Sequence, residues 1–300
     1  MIKLAKFIIS ILILSLTIAS LFIIYIKFIL LNNYFYIYSF NKNYAYENLS
    51  RGLKGLTNKM LIDNMTSSVD YDNLTLGQRQ EIEAQAERYT AFINEDNVKD
   101  FTETNISYLL RYLKNRSEYL IIYLPLEKWA LPKEILDGLP NYLKTTTLDA
   151  REILINRKTA NENADLLGIL ERLKLTDKYV NIALYIVLTL DIIFFSLYYF
   201  LTEKEKRVPS MGKLLSFLGV IILISSWVLF TAQQIFAEGL AFKNTWSEVL
   251  SGTLVPIFIN PIVLIFTLFG LISLITGIIL FNKRADQNLP HQSAQTRQSS

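Results

Sequence analysis

The stretch LYIVLTLDIIFFSLYYF, Leu184 to Phe200, holds one carboxylate, Asp191, in the middle of residues that otherwise suit hydrocarbon. Length decides how such a run is read, because a core helix of a soluble domain does not need to stay apolar for five turns. Here the apolar run extends from Val180 to Leu201, and at about 1.5 Å per residue it crosses a hydrocarbon layer about 30 Å thick. An Asp at the centre of a span costs about 2.5 to 3.5 kcal/mol on the insertion scale, while each Leu, Ile, Phe or Val contributes about −0.3 to −0.6. Fourteen such residues lie in 180–201, so insertion wins despite the acid.

Three further blocks have the same character: Phe7 to Leu31, Leu214 to Ala232 and Ile262 to Phe281. They account for a chain that is 51% hydrophobic and only 19% charged over 300 residues, with a mean hydropathy of +0.28. The first block follows Lys3 and Lys6, as a secretory signal does, but it outlasts a signal core and runs past the only small-residue cleavage candidate, Thr17 to Ala19. It reads as an uncleaved signal anchor. The expected class is mainly α: a four-helix transmembrane bundle plus a predominantly α-helical domain with one short strand pair.

The basic residues set the expected orientation. Lys3 and Lys6 precede the first span, Lys204, Lys206, Arg207 and Lys213 fill the turn between the second and third, and Lys283, Arg284 and Arg297 follow the fourth. The short segment 233–261 has only Lys243. The positive-inside rule then predicts a cytoplasmic N-terminus (1–6), a first span (7–31), an extracytoplasmic domain (32–179), a second span (180–201), a cytoplasmic loop (202–213), a third span (214–232), an extracytoplasmic loop (233–261), a fourth span (262–281) and a disordered cytoplasmic tail (282–300). The chain has no cysteine, and an exported domain without disulfides points to a bacterial inner membrane. Five N-x-S/T triplets, at Asn48, Asn64, Asn73, Asn105 and Asn115, are weak glycosylation signals in so Asn-rich a chain.

Within 32–179 the spacing is mostly helical. Tyr46, Leu49, Leu53, Leu56 and Met60 step by three and four and predict one apolar stripe. Thr75 with Gln78 reads as a capping box that starts a helix running to about Ile93. A second helix after Asp96 is expected to turn Val98, Phe101, Tyr108, Leu109, Tyr112 and Leu113 inward. EYLIIYLPL breaks the period and reads as a buried extended segment ended by Pro125, LPKEILDGLPNYL as a Pro-started helix, and NENADLLGILERL as a helix leading into the membrane. Thr176 or Asp177 is the expected N-cap of the second span.

The stretch TNISYLLRYLKNRSEYLIIYLPLEKW, Thr104 to Trp129, resembles a pattern found in uncharacterised bacterial membrane proteins with an outside helical domain between the first two of four helices. The resemblance implies an architecture and no activity. The order of one span, a large outside domain and three more spans also resembles permease subunits of the lipoprotein-release and cell-division class of ABC transporters, though the turn 202–213 shows no apolar coupling helix.

Chemistry-bearing constellations are scarce. His291 is the only histidine and there is no cysteine, which removes His-based triads and His or Cys metal sites. MGKLL has the Gly-Lys of a phosphate loop but lacks its upstream glycine and the Ser/Thr after the lysine, and DYDNLTLG, with Asp70 and Asp72, puts Leu74 where a calcium loop needs a ligand. Between Asp63 and Glu103 ten acids stand against three bases, a solvated acidic face or a loose surface for a cation or basic partner. No enzyme activity, metal or cofactor is expected, and no nucleic acid.

Counting from the span ends brings polar residues to one depth: Thr17 and Ser20, Asp191, Ser225 and Ser226, and Ser273. Two readings follow. Asp191 exchanges hydrogen bonds with these hydroxyls and locks the bundle, or the layer relays a proton or ion. Lys27, near the outer end of the first span, is expected to snorkel outward. In the segment 233–261, Thr245 with Glu248 predicts a short interfacial helix carrying Trp246, Val249 and Leu250, and Pro261 is expected to start the fourth span. The leading functional expectation is a non-enzymatic membrane protein whose outside domain binds a protein, peptide or glycan, with the lipid bilayer and a homo-oligomer as further partners; the rival is a transport component, ABC-permease-like or coupled to protons or ions through Asp191.

Overall fold

The computed structural model describes residues 2–67, 71–151, 166–241 and 249–287. In chain order, α1 (Ile2–Tyr25) ends in a π-helical turn (Ile26–Leu30) and is followed by α2 (Asn33–Lys42), α3 (Ala45–Met65), α4 (Leu76–Thr90) and α5 (Glu95–Leu113). Then come β1 (Ile121–Tyr123), α6 (Lys133–Gly138), β2 (Thr147–Asp149), α7 (Leu166–Leu173), α8 (Thr176–Phe200), α9 (Arg207–Ala241), a π-helical turn (Leu250–Leu254) and α10 (Val255–Gln287). The fold is mainly α, with one two-stranded antiparallel sheet. Four helical stretches, Ile2–Leu30, Thr176–Phe200, Lys204–Gly239 and Ser251–Asn282, are long and apolar enough to cross a membrane. That marks the protein as multi-pass.

The chain divides into two compact units. One takes in the chain up to Ile29, Val180–Gln233 and the chain from Phe258 onward; the other takes in Leu30–Tyr179 and Gln234–Ile257.

In the spanning unit, α9 and α10 meet backbone to backbone. A methyl group at Gly212 would lie 2.6 Å from the Phe281 amide nitrogen and 2.7 Å from the Gly277 carbonyl oxygen. At Gly219 it would lie 2.6 Å from the Leu274 amide nitrogen and 2.7 Å from the Gly270 carbonyl oxygen. Gly277 in turn lies against the amide and hydroxyl of Ser216. The seven-residue spacing on each helix keeps these glycines on one seam, and in hydrocarbon, where apolar side chains gain nothing by leaving lipid, such close approach is what drives helix pairing.

Pro261 does not start the last span but lies inside α10, which begins at Val255 directly after the π turn. The expectation failed because the segment before Pro261 is apolar enough to continue the helix, and a spanning helix tolerates proline where neighbours take over the disturbed carbonyls. Here the Tyr25 hydroxyl of α1 donates to the Phe258 carbonyl at 2.5 Å, while Phe22 packs edge-on against Phe266 at 5.2 Å. Between α8 and α9 the chain turns tightly. Arg207 donates to the Thr202 carbonyl and lies over the Tyr199 and Phe200 rings, and the exposed Lys206 beside Glu203 lowers that carboxyl from its ordinary range.

In the second unit the core gathers on Phe40, Tyr46, Leu49, Ala86, Val98, Leu110, Tyr112 and Leu148, all buried. The Thr75–Gln78 capping box forms and starts α4, and Asn94 caps α5. The α3 stripe stays buried only at its N-terminal end: Tyr46 and Leu49 are inside, whereas Leu56 and Met60 are exposed. On α5, which packs against α2, α3 and β1, Leu110 is buried and Leu109, expected inward, is exposed. Thr176 does not act as an accepting cap; its hydroxyl donates back to the Leu173 carbonyl and bridges α7 to α8. The acids at Asp70, the Thr245–Glu248 capping box with Trp246, and His291 lie outside the described residues.

Asn105 serves β1 as a substitute strand. Its amide nitrogen donates to the Tyr123 carbonyl and its oxygen accepts from the Tyr123 amide, both at 2.9 Å, while β2 pairs with the other edge in the register Ile122 with Leu148. A three-residue strand thus has both edges engaged. Asn105 is therefore committed inside the fold, and Asn48 likewise donates to Thr253, which removes two of the five triplets as free acceptors.

Gly219→Val is expected to lower the melting temperature of the detergent-solubilised chain, overpacking costing about 1 to 3 kcal/mol. Gly55, in mid-α3 with no heavy atom within 4 Å of a would-be Cβ, should accept alanine with a gain of about 0.5 to 1 kcal/mol.

Burial, and then the hydrogen bond to and charge of Glu103, push the Tyr46 hydroxyl well above the ordinary tyrosine range. The native state therefore holds this proton more tightly than the unfolded chain does. Its contribution is intact below the ordinary tyrosine value of about 10 and falls as pH rises past it. Denaturation followed across alkaline pH should show a shallower decline for Tyr46→Phe than for the parent.

Candidate functional site

The polar residues expected at one depth resolve into two pairs of helices. On α1, Thr17 and Ser20 are three residues apart and share a face. Both are buried, as is Asp191 on α8. The Ser20 hydroxyl donates to Oδ2 of Asp191 at 3.4 Å, a long contact for an O–H donor and correspondingly weak. No hydrogen bond joins the Thr17 hydroxyl, which shares the Ser20 face, to this carboxyl group, and Oγ1 of Thr17 and Oδ1 of Asp191 are both enclosed and unpartnered.

The second pair is complete. The Ser226 hydroxyl of α9 bonds Thr267 at 2.7 Å and donates to the Val263 carbonyl of α10 at 3.0 Å. Ser225, its neighbour, turns back to the Ile221 carbonyl of its own helix. Ser273 is buried on α10. Among the described residues no hydrogen bond joins Thr17, Ser20 or Asp191 to Ser226 or Thr267; the two helix pairs are joined elsewhere, by Tyr25 to the Phe258 carbonyl and by Tyr198 with Ser210. Thr267 is the residue that counting from Ile262 missed. The stretch Ser251–Asn282 has its midpoint at 266–267, and correcting the helix start alone would have found it.

Lys27 donates to the Asn181 side chain of α8 and lies over the Phe28 ring at 5.6 Å. This amide–ammonium contact is ten residues before Asp191, about 15 Å along the helix axis, too far to pair with the acid.

The second unit carries its own concave surface. A groove of about 420 Å³ lies between α3 and α4, lined by Asn58, Ile62, Gln80, Glu83, Ala84, Ala86 and Glu87. Its floor is held by Thr90, fully buried, whose hydroxyl bonds Asn58 at 2.5 Å and the Ala86 carbonyl at 3.0 Å. One wall is braced by Tyr71, which donates to Glu83 at 2.6 Å and lies beneath Arg79. The groove therefore falls within the acidic stretch, with two carboxylates at its rim. Elsewhere on this unit Asp100 accepts from both Tyr123 and Lys128 at 2.9 Å. The hydrogen bond to Asp100 raises the Lys128 ammonium above the ordinary lysine range. Trp129 stacks on Phe92 at 6.0 Å and meets Phe101 edge-on at 5.7 Å. Among the described residues no three His, Cys, Asp or Glu side chains converge as a metal site would require.

Comparison with known protein families, with characterised proteins and with solved structures finds no match. Function must therefore be argued from these residues alone.

Because Ser226 bridges two helices and Ser225 only its own, Ser226→Ala should lower bundle stability by about 0.6 to 1.7 kcal/mol and Ser225→Ala should leave it unchanged. Unfolding of the full chain in mixed micelles, monitored by tryptophan fluorescence, reads the difference.

Proposed function

We propose that the protein is a non-enzymatic bacterial inner-membrane protein whose domain 32–179 works outside the cytoplasm as a binding module, with the four spans as its anchor. The observation that carries this reading is the groove between α3 and α4 in a unit with its own core, in a chain whose other unit is apolar. Glu83 and Glu87 at the rim suit a basic or amide-rich partner, a peptide or an amino-sugar polymer, and Gln80 and Asn58 add amide donors and acceptors. The orientation is supported by the basic residues clustered at 3–6, 204–213 and 283–284. The bacterial assignment is supported by the cysteine-free sequence.

The lack of cysteine makes the test direct. In intact cells, a membrane-impermeant maleimide should label Gln80→Cys and should label Lys204→Cys only after permeabilisation. A photo-crosslinking residue placed at Gln80 should give one discrete adduct, lost when Glu83 and Glu87 are both changed to Lys. The reverse labelling pattern overturns the orientation, and an adduct indifferent to the two substitutions overturns the groove as the binding surface.

A further inference from the structure

The α1–α8 contact has an imbalance that the α9–α10 contact lacks. Asp191 is 8% exposed and Thr17 5% exposed, yet Oδ1 of the one and Oγ1 of the other have no hydrogen-bond partner. Ser20 supplies the carboxyl group with a single long bond. An ionised carboxylate in hydrocarbon with so little compensation is expensive, and the usual remedy is a cation within the bundle. No span supplies one. The charged residues of α1 and the π turn that ends it are Lys3, Lys6 and Lys27, of which only Lys27, in the π turn, follows the cluster, about 10 Å along the axis from Ser20 and engaged by Asn181. Asp177 and Lys178 stand at the start of α8, α9 has no charged residue from Leu214 to Ala237, and α10 has none from Val255 to Asn282.

We infer that Asp191 binds an exchangeable proton inside the membrane-spanning unit, the proton residing on Oδ1 of Asp191 and drawing in Oγ1 of Thr17, one face-neighbour from Ser20, as its acceptor. In the binding step an O–H bond forms on Oδ1, an O–H bond of hydronium breaks, and water leaves. One proton removes the charge and partners both enclosed oxygens, while Ser20 continues to donate to Oδ2. A metal ion fits less well. Hard divalent cations take about six to eight oxygens, whereas this cluster offers four and the helical carbonyls around it are committed to their own ladders. The site joins the two spans that precede and follow the unit 30–179 in the chain, so occupancy by the proton sets how those two helices are tied. The inference rests on the spanning unit alone and stands or falls apart from the binding-module reading.

Infrared difference spectroscopy of the full chain in lipid nanodiscs, taken through a pH series, tests it. The expected result is a carboxylic-acid carbonyl band that fades as pH rises, returns on re-acidification and is missing in Asp191→Asn. Thr17→Val should weaken proton binding by about three- to tenfold, the worth of one interhelical hydrogen bond, and so move the midpoint to lower pH. Thr17→Ser should restore it. An apolar carbodiimide, which reacts with the protonated carboxyl, should modify Asp191 of the unaltered chain at low pH and progressively less as pH rises, with the adduct located by mass spectrometry. This second readout needs no variant to fold. A wild-type spectrum with no titrating acid band assignable to Asp191, as an ionised carboxylate bridged by water would give, overturns the proposal. So does a Thr17→Val midpoint that stays in place or moves to higher pH.

Discussion

Helices α9 and α10 touch through Gly212, Gly219, Gly270 and Gly277, and the spanning unit depends on that contact more than on any apolar side chain. In water, burying leucine and isoleucine would hold two such helices together; in hydrocarbon those side chains lose nothing by facing lipid, and attraction must come from atoms that lie closer than lipid can. Glycine supplies the approach, and Ser226 with Thr267 and the Val263 carbonyl supplies the hydrogen bonds where the same two helices continue past the seam. Once α9 and α10 are fixed, Phe22 and Tyr25 of α1 have surfaces to meet at Phe266 and Phe258. The proline in α10 is tolerated in that setting, since a neighbouring hydroxyl engages a carbonyl beside the disturbed turn.

The second unit is held by the opposite balance. Its helices are amphipathic, and its buried tyrosines carry polar tips that must find partners: Tyr46 reaches Glu103 and Tyr112 reaches the Leu170 carbonyl. Asn105 does for β1 what another strand would do, which lets a sheet of three-residue strands persist. Tyr44, in the left-handed region with φ of 52°, reverses the chain between α2 and α3. Such a conformation is costly for a bulky residue, and here the aromatic contact of Phe40 with Tyr46 across the turn offsets it.

Signals that depend on a long average were legible in the sequence, and those that depend on a partner were not. Four apolar blocks declared four spans, and the Thr75–Gln78 pair declared the start of α4, because both are local. The α3 stripe misled at Leu56 and Met60, since periodicity says which residues share a face but not how far a neighbour covers it. The start of α10 was misplaced by a rule suited to water, where proline begins helices, and that error hid Thr267. The polar layer was read as a set of residue types counted along the spans. Its division into two pairs turns on rotations that residue spacing does not encode: Ser225 and Ser226 are adjacent in sequence, and only the second faces another helix. Asn105 as a strand substitute left no signal beyond an asparagine in a helix.

The two halves of the polar layer differ in kind. A serine and a threonine that satisfy each other are electrically neutral and can be buried at no standing cost, so the α9–α10 pair is accounted for by packing. A carboxyl group is not equivalent to a third hydroxyl in that role. Asparagine or serine would bridge α1 and α8 without risking a charge in hydrocarbon, and the chain uses both residues freely elsewhere. What Asp191 adds over either is the ability to gain and lose a proton, and its Oδ1 is enclosed without a partner. An anchor needs only the α9–α10 solution, repeated; the α1–α8 solution fits a bundle in which the tie between those two spans is meant to change.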